Sequence, residues 1–202
     1  MTLILIIITS IVSLLGFYQK DFTSKLIFSP YVIKEQGSWW RFITCGFLHA
    51  DFFHLFINMF VLWSFGQALE YYYSFAFGAK SDLMFISMYV VSIFAANVST
   101  YYTQLNNPGY HSLGASGAVS AVVFTTILFR PWEKIFLYGI IGLPGVLMGI
   151  AWLVYSWWMS KRASDQVNHE AHFYGAIFGV VFTLVFKPAL FLFFIRQLLF
   201  ML

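Results

Sequence analysis

Charge is the scarcest thing in this sequence. Of 202 residues only 9% are Asp, Glu, Lys or Arg and 60% are apolar, against roughly 25% charged in a soluble domain, which excludes an ordinary soluble globular protein. The 11 basic and 8 acidic residues leave a net charge of +3 with no polybasic run, so no nucleic-acid partner is expected. The single cysteine, Cys45, excludes an internal disulfide and any Cys-x-x-Cys or Cys/His ladder, and leaves the redox compartment open. No Lys or Arg precedes the apolar stretch Leu3 to Phe17 and no small-x-small cleavage site follows it. That stretch therefore reads as a retained first span rather than a removed signal peptide. Internal repeats and low-complexity tracts are missing as well.

What is present is apolar length. Six stretches, at about 3–18, 52–69, 83–102, 113–129, 135–158 and 171–195, predict six membrane helices. At roughly 20 residues each these use about 120, leaving about 80 for loops and ends, so residues 1–202 are expected to form a single polytopic membrane domain. Aromatic pairs and triplets such as Trp39-Trp40, Tyr71-Tyr72-Tyr73 and Trp157-Trp158 stand where the stretches end, as amphipathic rings do at membrane interfaces. Between the first two spans, Gln19 to Asp51 is long enough to fold as a structured loop. Basic residues in the connections divide six against five between the two sides, so charge does not orient the bundle.

The fourth span is short. Ser116 to Phe129 is 14 residues, about 21 Å of helix in a hydrocarbon core about 30 Å thick. With Arg130 at one interface, Ser116 lies below the other, and the preceding Asn106-Asn107-Pro108-Gly109 segment must dip into the membrane, where non-helical backbone survives only if protein buries it or water reaches it. The sixth span runs parallel, with His172 15 positions before Lys187 as Ser116 is 14 before Arg130. The second span, also parallel, carries His54 and Asn58 16 and 12 residues before Glu70. Three helices thus bring Ser116, His172 and the His54/Asn58 pair to one depth.

A serine becomes a nucleophile when a neutral imidazole takes its proton, and Ser116 with His172 is the pair that depth brings together. Gly114-Ala115-Ser116-Gly117 lets the backbone turn tightly into a helix, whose free N–H groups and positive dipole end favour an oxyanion. His54 and Asn58, at i and i+4 on one face, can add donors. Glu170 points to a different helical face from His172, and Asp165 precedes the helix, so a dyad is expected rather than a triad. The competing structural readings are that Gly114, Gly117, Gly175 and Gly179 only let helices approach, and that single intramembrane histidines only bridge helices; for Gly175 and Gly179 packing is the expected role. His169-Glu170-Ala171-His172 is one residue short of His-Glu-x-x-His, and no metal or cofactor is expected. His49 and His111 are expected to hydrogen-bond at the interface.

Four motifs in order, Trp40-Arg41, His54-x-x-x-Asn58, Gly114-Ala115-Ser116-Gly117 and Ala171-His172-x-x-Gly175-x-x-x-Gly179, resemble those of the rhomboid family of intramembrane serine proteases, over roughly Trp39 to Phe186. The resemblance implies an all-α membrane protein: a six-transmembrane-helix rhomboid-like bundle with a structured first loop at Trp40-Arg41 and a short, recessed fourth helix. It implies Ser116 as nucleophile, His172 as general base, and His54, Asn58 and the Ser116 N–H around the oxyanion. It further implies transmembrane protein substrates entering past the fifth helix, and a site opening to the extracytoplasmic face of the cell (inner) membrane. In one departure, Ser120 stands where rhomboids often carry a ring against the catalytic histidine, so another aromatic, Tyr174 or a neighbour, is expected to substitute.

Two other functions compete. A rhomboid-like protein that binds transmembrane segments without cutting them would have no need of both Ser116 and His172. A transporter or proton channel would need polar groups running on to the far interface, where only Ser64, Thr125, Thr126 and Thr183 are available.

Overall fold

The computed structural model describes residues 1–137, 140–162 and 167–200. Its helices are α1 (Thr2–Tyr18), α2 (Lys20–Leu26), α3 (Pro30–Gln36), α4 (Arg41–Thr44), α5 (Phe52–Phe77), α6 (Ser81–Thr103), α7 (Ser116–Phe129), α8 (Gly145–Ser160), α9 (His169–Phe186) and α10 (Ala189–Phe200). A small antiparallel hairpin, β1 (Lys134–Leu137) and β2 (Ile141–Pro144), precedes α8 in the register Lys134↔Pro144 and Ile135↔Leu143. The fold is nearly all-α, as the apolar pattern demands of a chain in lipid, where backbone groups must be satisfied within each segment. Among the described residues, Phe52–Thr103, which is α5 and α6 joined by a one-turn 3-10 connection, and His169–Phe186 are long and apolar enough to cross a membrane. Thr2–Tyr18, Ser116–Phe129, Gly145–Ser160 and Ala189–Leu199 are shorter apolar helices.

Two of the expected spans differ in detail. The stretch 135–158 does not begin as helix. Its first residues form the hairpin, and α8 starts only after Pro144, which cannot donate a helical hydrogen bond and whose preceding residue is biased to extended backbone. The stretch 171–195 is two helices. Pro188 pushes Lys187 out of the helical region, to φ −143° and ψ 71°, so α9 stops at Phe186 and α10 begins again at Ala189.

Small hydroxyls are buried between the helices while many large apolar side chains face outward. Thr9, Ser13, Ser92, Thr125, Ser156 and Thr183 are fully buried, whereas Ile4, Ile11, Phe53, Phe56, Phe60 and Val154 are exposed. That arrangement suits a bundle whose outer solvent is hydrocarbon and whose helices are held by close packing and hydrogen bonds. α7 sits in the middle, packed by α5, α6 and α9 and buried on nearly every face. α8 lies at the edge and buries only Gly145, Gly149 and Ser156.

The loop between α1 and α5 is built around Arg41, which is buried although charged. Its Nη1 donates to the carbonyls of Ser24 (2.7 Å) and Ile27 (2.9 Å), and its Nε to Ser38 Oγ (3.0 Å). One guanidinium therefore ties together the end of α2 and the turn before α4. Trp40 Nε1 donates to the Lys25 carbonyl at 3.2 Å while its ring stays exposed, and Trp39 stacks on Phe42, which packs in turn on Phe94 and Tyr101 of α6. A solvated main chain cannot enter lipid, and these contacts supply the partners it lacks.

Candidate active site

Ser116 opens α7. The residue two before it, Gly114, has φ 131°, a value that side chains rarely adopt, and its N–H donates to the Cys45 carbonyl at 3.0 Å. A methyl at Gly114 would lie 3.0 Å from Cε1 and 3.2 Å from Nε2 of His54, and 3.7 Å from Ser116 Oγ. Gly114 is thus the gap across which the His54 imidazole and the Ser116 hydroxyl face each other. The turn brings the serine to a helix amino end, where the first N–H groups have no intrahelical acceptor.

His54 lies in the first turn of α5. Asp51 caps that helix, its carboxylate accepting from the His54 N–H at 2.7 Å. The Ala50 N–H points at His54 Nδ1 from 3.5 Å, which leaves Nδ1 as acceptor and puts the ring proton on Nε2, the nitrogen turned towards Gly114. Asn58 sits one turn deeper, buried, with Nδ2 donating to the His54 carbonyl at 2.9 Å. One of its two amide protons is therefore committed to its own helix.

Behind His54 stands His49, which is buried and makes the hydrogen-bonding contacts expected of it. Its ring meets that of His54 edge to face at 4.9 Å. Ser13 Oγ donates its one proton to the Phe47 carbonyl at 2.8 Å, so the 2.9 Å contact between Ser13 Oγ and His49 Nδ1 is donated by the imidazole. That leaves His49 Nε2 as an acceptor facing the Ala115 N–H at 3.5 Å. Burial, with a smaller contribution from His54, pushes the His49 imidazole down to about 3. It is a neutral strut from α1 to the residue before Ser116, a role the sequence could not reveal because Ser13 is 36 positions away.

α9 reaches α7 through missing side chains. Gly175 packs directly on the Gly117 carbonyl, a methyl at Gly179 would lie 2.6 Å from the Ala121 carbonyl oxygen, and one at Gly117 would lie 3.2 Å from that of Ala171. Ala171 precedes His172, and Gly117 follows Ser116, so this contact brings the neighbours of both residues together. Asn168 caps α9, its Oδ1 accepting from the Ala171 N–H at 3.0 Å and from Thr100 Oγ1 at 3.2 Å, and its Nδ2 donating to Ser112 Oγ at 3.3 Å. Glu170 faces α6, its carboxylate 3.1 Å from Thr100 Oγ1, whose single proton it shares with Asn168 Oδ1. Asp165 lies outside the described residues.

The His172 ring is held by an aromatic the sequence reading did not pick. Trp152 of α8 stacks on it at 5.8 Å and 26°, while Tyr174 is exposed and pairs with Phe173. Trp152, Tyr155, His169 and His172 form a closed circuit of four rings with successive centroid distances of 5.9, 5.5, 5.8 and 5.8 Å. Ser120 is buried in α7. An i+3 spacing on α8 opposite an i+3 spacing on α9 is the signal that could have found the circuit. Among the described residues no three His, Cys, Asp or Glu side chains converge on a metal-sized space.

Ser116, His54 and His172 are all part-exposed rather than sealed. A hydroxyl, a donor imidazole and a ring-stacked imidazole gathered at the amino ends of three helices can support proton transfer and anion stabilisation.

Comparison with known proteins agrees with this architecture. The rhomboid domain profile matches residues 36–189. Rhomboid-like protein 11, chloroplastic, of Arabidopsis thaliana is 30% identical over 181 residues, covering 83% of this chain and 60% of that protein. The candidate rhomboid protease YdcA of Bacillus subtilis is 33% identical over 143 residues, 71% of this chain and 65% of the relative. Rhomboid protein 1, mitochondrial, of Saccharomyces cerevisiae is 32% identical over 146 residues, 69% and 40%. The chain thus spans about 40% to 65% of the length of these relatives. With the profile covering most of its length and the helices arranged as described, this chain belongs to the rhomboid family.

Proposed function

We propose that the protein is an intramembrane serine endopeptidase that cleaves transmembrane segments of membrane proteins through a Ser116/His172 dyad. The observation that carries this reading is the contact of Gly117 with Ala171, which brings together the residues next to a helix-opening serine and a ring-stacked histidine. Ser116 Oγ attacks the scissile carbonyl carbon while His172 takes the hydroxyl proton, giving a tetrahedral oxyanion. The free N–H groups of the first turn of α7 and the His54 Nε2–H stabilise that oxygen, with the uncommitted Asn58 amide proton as a further donor. Collapse breaks the C–N bond, His172 passes its proton to the leaving amine, and water hydrolyses the acyl-serine with His172 again as base. Gly114, Gly117, Gly175 and Gly179 allow the close approaches, and Trp40 and Arg41 hold the loop.

A substrate helix hides its carbonyls in its own hydrogen bonds and must unwind before attack. α8, which buries only three residues, is the edge past which such a segment enters. We infer one polytopic domain in a cell membrane with the Ser116 end extracytoplasmic; the named chloroplast and mitochondrial relatives make organelle membranes the competing location.

The test is a fluorescent fluorophosphonate probe on the detergent-purified protein beside Ser116→Ala, His172→Ala and chelator-treated samples. Labelling that requires both residues and ignores the chelator is expected. A folded protein that neither this probe nor a smaller serine inhibitor labels would instead support a non-cleaving protein that binds transmembrane segments.

A further inference from the structure

At the end of the bundle opposite Ser116, a groove of about 700 Å³ opens between the last turns of α5, the end of α7 and α10. Its level is fixed by Tyr72 stacked on Phe129 at 5.1 Å and by the Tyr73 hydroxyl bonded to Thr183 Oγ1 at 2.5 Å, which align the far ends of α5, α7 and α9. Three cations line it: Arg130, the first residue after α7; Lys187, the first after α9; and Arg196, on α10. All three are exposed, and the one ion pair formed among the described residues joins the N-terminal amine to Glu70 instead. The nearby Glu133 carboxylate accepts from the Tyr72 hydroxyl at 3.3 Å. The rest of the lining is chiefly apolar and aromatic, including Phe75 and Phe193, both exposed.

Two cations just past helix ends and a third within α10, above lipid-facing rings, match one kind of ligand, an anion carried on hydrocarbon chains. A free anion would use the cations and leave the rings bare; a neutral lipid would do the reverse. We propose that this groove binds an anionic phospholipid, its phosphate among Arg130, Lys187 and Arg196 and its acyl chains along Phe75 and Phe193. Such a lipid fastens the separate α10 to the bundle across the Lys187-Pro188 break. It adds to the two bonds that already hold α10, from Gln197 Nε2 to the Phe129 carbonyl (2.7 Å) and from Trp132 Nε1 to the Gln197 carbonyl (3.0 Å).

The protein stripped of lipid in a neutral detergent would be titrated with phosphatidylglycerol, phosphatidylcholine or inorganic phosphate, reading bound lipid by native mass spectrometry and the melting temperature in parallel. Phosphatidylglycerol is expected to bind about a hundredfold tighter than phosphatidylcholine, from roughly fivefold per cation, and to raise the melting temperature. The Arg130→Gln/Lys187→Gln/Arg196→Gln protein loses that preference, Arg196→Gln alone loses about fivefold, and Arg196→Lys keeps it. Equal binding of the two lipids overturns the proposal. So does an equal shift with inorganic phosphate alone, which marks a free-anion site, or an undiminished preference in the folded Arg196→Gln protein.

Discussion

The indole of Trp152 on α8 lies nearly parallel to the imidazole of His172 on α9, with 5.8 Å between ring centroids. Ser120 stands on α7 where rhomboids often carry a ring, and of the aromatics that could substitute it is Trp152 on the edge helix, rather than the expected Tyr174, that meets the histidine. A helix that moves to admit substrate would therefore also move a wall of the site. Stacked ring contacts of this kind are worth about 1 kcal/mol. Trp152→Ala is accordingly expected to lower the turnover of a transmembrane substrate by about fivefold, with Trp152→Phe retaining most of it. Equal activity in wild type and Trp152→Ala, measured in proteoliposomes, would show that the ring does not position the base.

Ser116→Ala and His172→Ala are each expected to abolish cleavage with an unchanged helical circular dichroism spectrum. Asn58→Ala should reduce it by less, about tenfold, since it removes a single donor that shares its amide with the His54 carbonyl. Residual cleavage by Ser116→Ala above the uncatalysed level would point to a different nucleophile.

At Gly175 even one methyl would collide with the Gly117 carbonyl. Gly175→Ala must push α9 from α7, at a cost of about 1–3 kcal/mol, and should separate His172 from Ser116. A lowered melting temperature together with lost probe labelling is the expected result, and wild-type labelling would contradict it.

His49 gives a pH signature. Its folded value of about 3 lies below the ordinary 6.5, so between those values the unfolded segment takes up a proton that the folded one refuses. Stability from this group is complete above pH 6.5 and is lost as the pH falls towards 3, at up to about 1.4 kcal/mol per unit. His49→Asn, which does not titrate, should flatten the fall of melting temperature between pH 7 and pH 4. Parallel curves for the two proteins would exclude His49 as the cause.

Arg41 makes three donor contacts within the first loop, and charge-assisted bonds are worth about 1.5–3 kcal/mol each. Arg41→Ala should leave the Ser24 and Ile27 carbonyls without this donor and speed hydrogen exchange across residues 20–44 by about tenfold or more, with α6 and α7 unaffected. A uniform increase over the whole chain would instead mean global destabilisation.

Much of the site was legible because its signals are local. Gly114 precedes a serine, and Gly175 and Gly179 fall one turn apart, so the tight turn and the close-packing face follow from neighbours in sequence. The His49–Ser13 strut and the four-ring circuit were not legible, because each joins segments whose pairing depends on how helices meet. The two misplaced boundaries have a different cause. Residues 135–144 and 189–195 are apolar enough to read as span, and hydropathy is blind to the backbone demands of Pro144 and Pro188.

Apolar length and scarcity of charge were enough to require a helical membrane bundle, since only satisfied backbone survives in lipid, and the motif order was enough to point to the family. Which face of α8 meets His172, which serine steadies His49, and how the ends of α7 and α9 and the side of α10 gather three cations at one rim were decided by the tertiary structure alone. Those are contacts between distant segments, fixed by the small residues that let α7 and α9 touch and by the proline that starts α10 afresh.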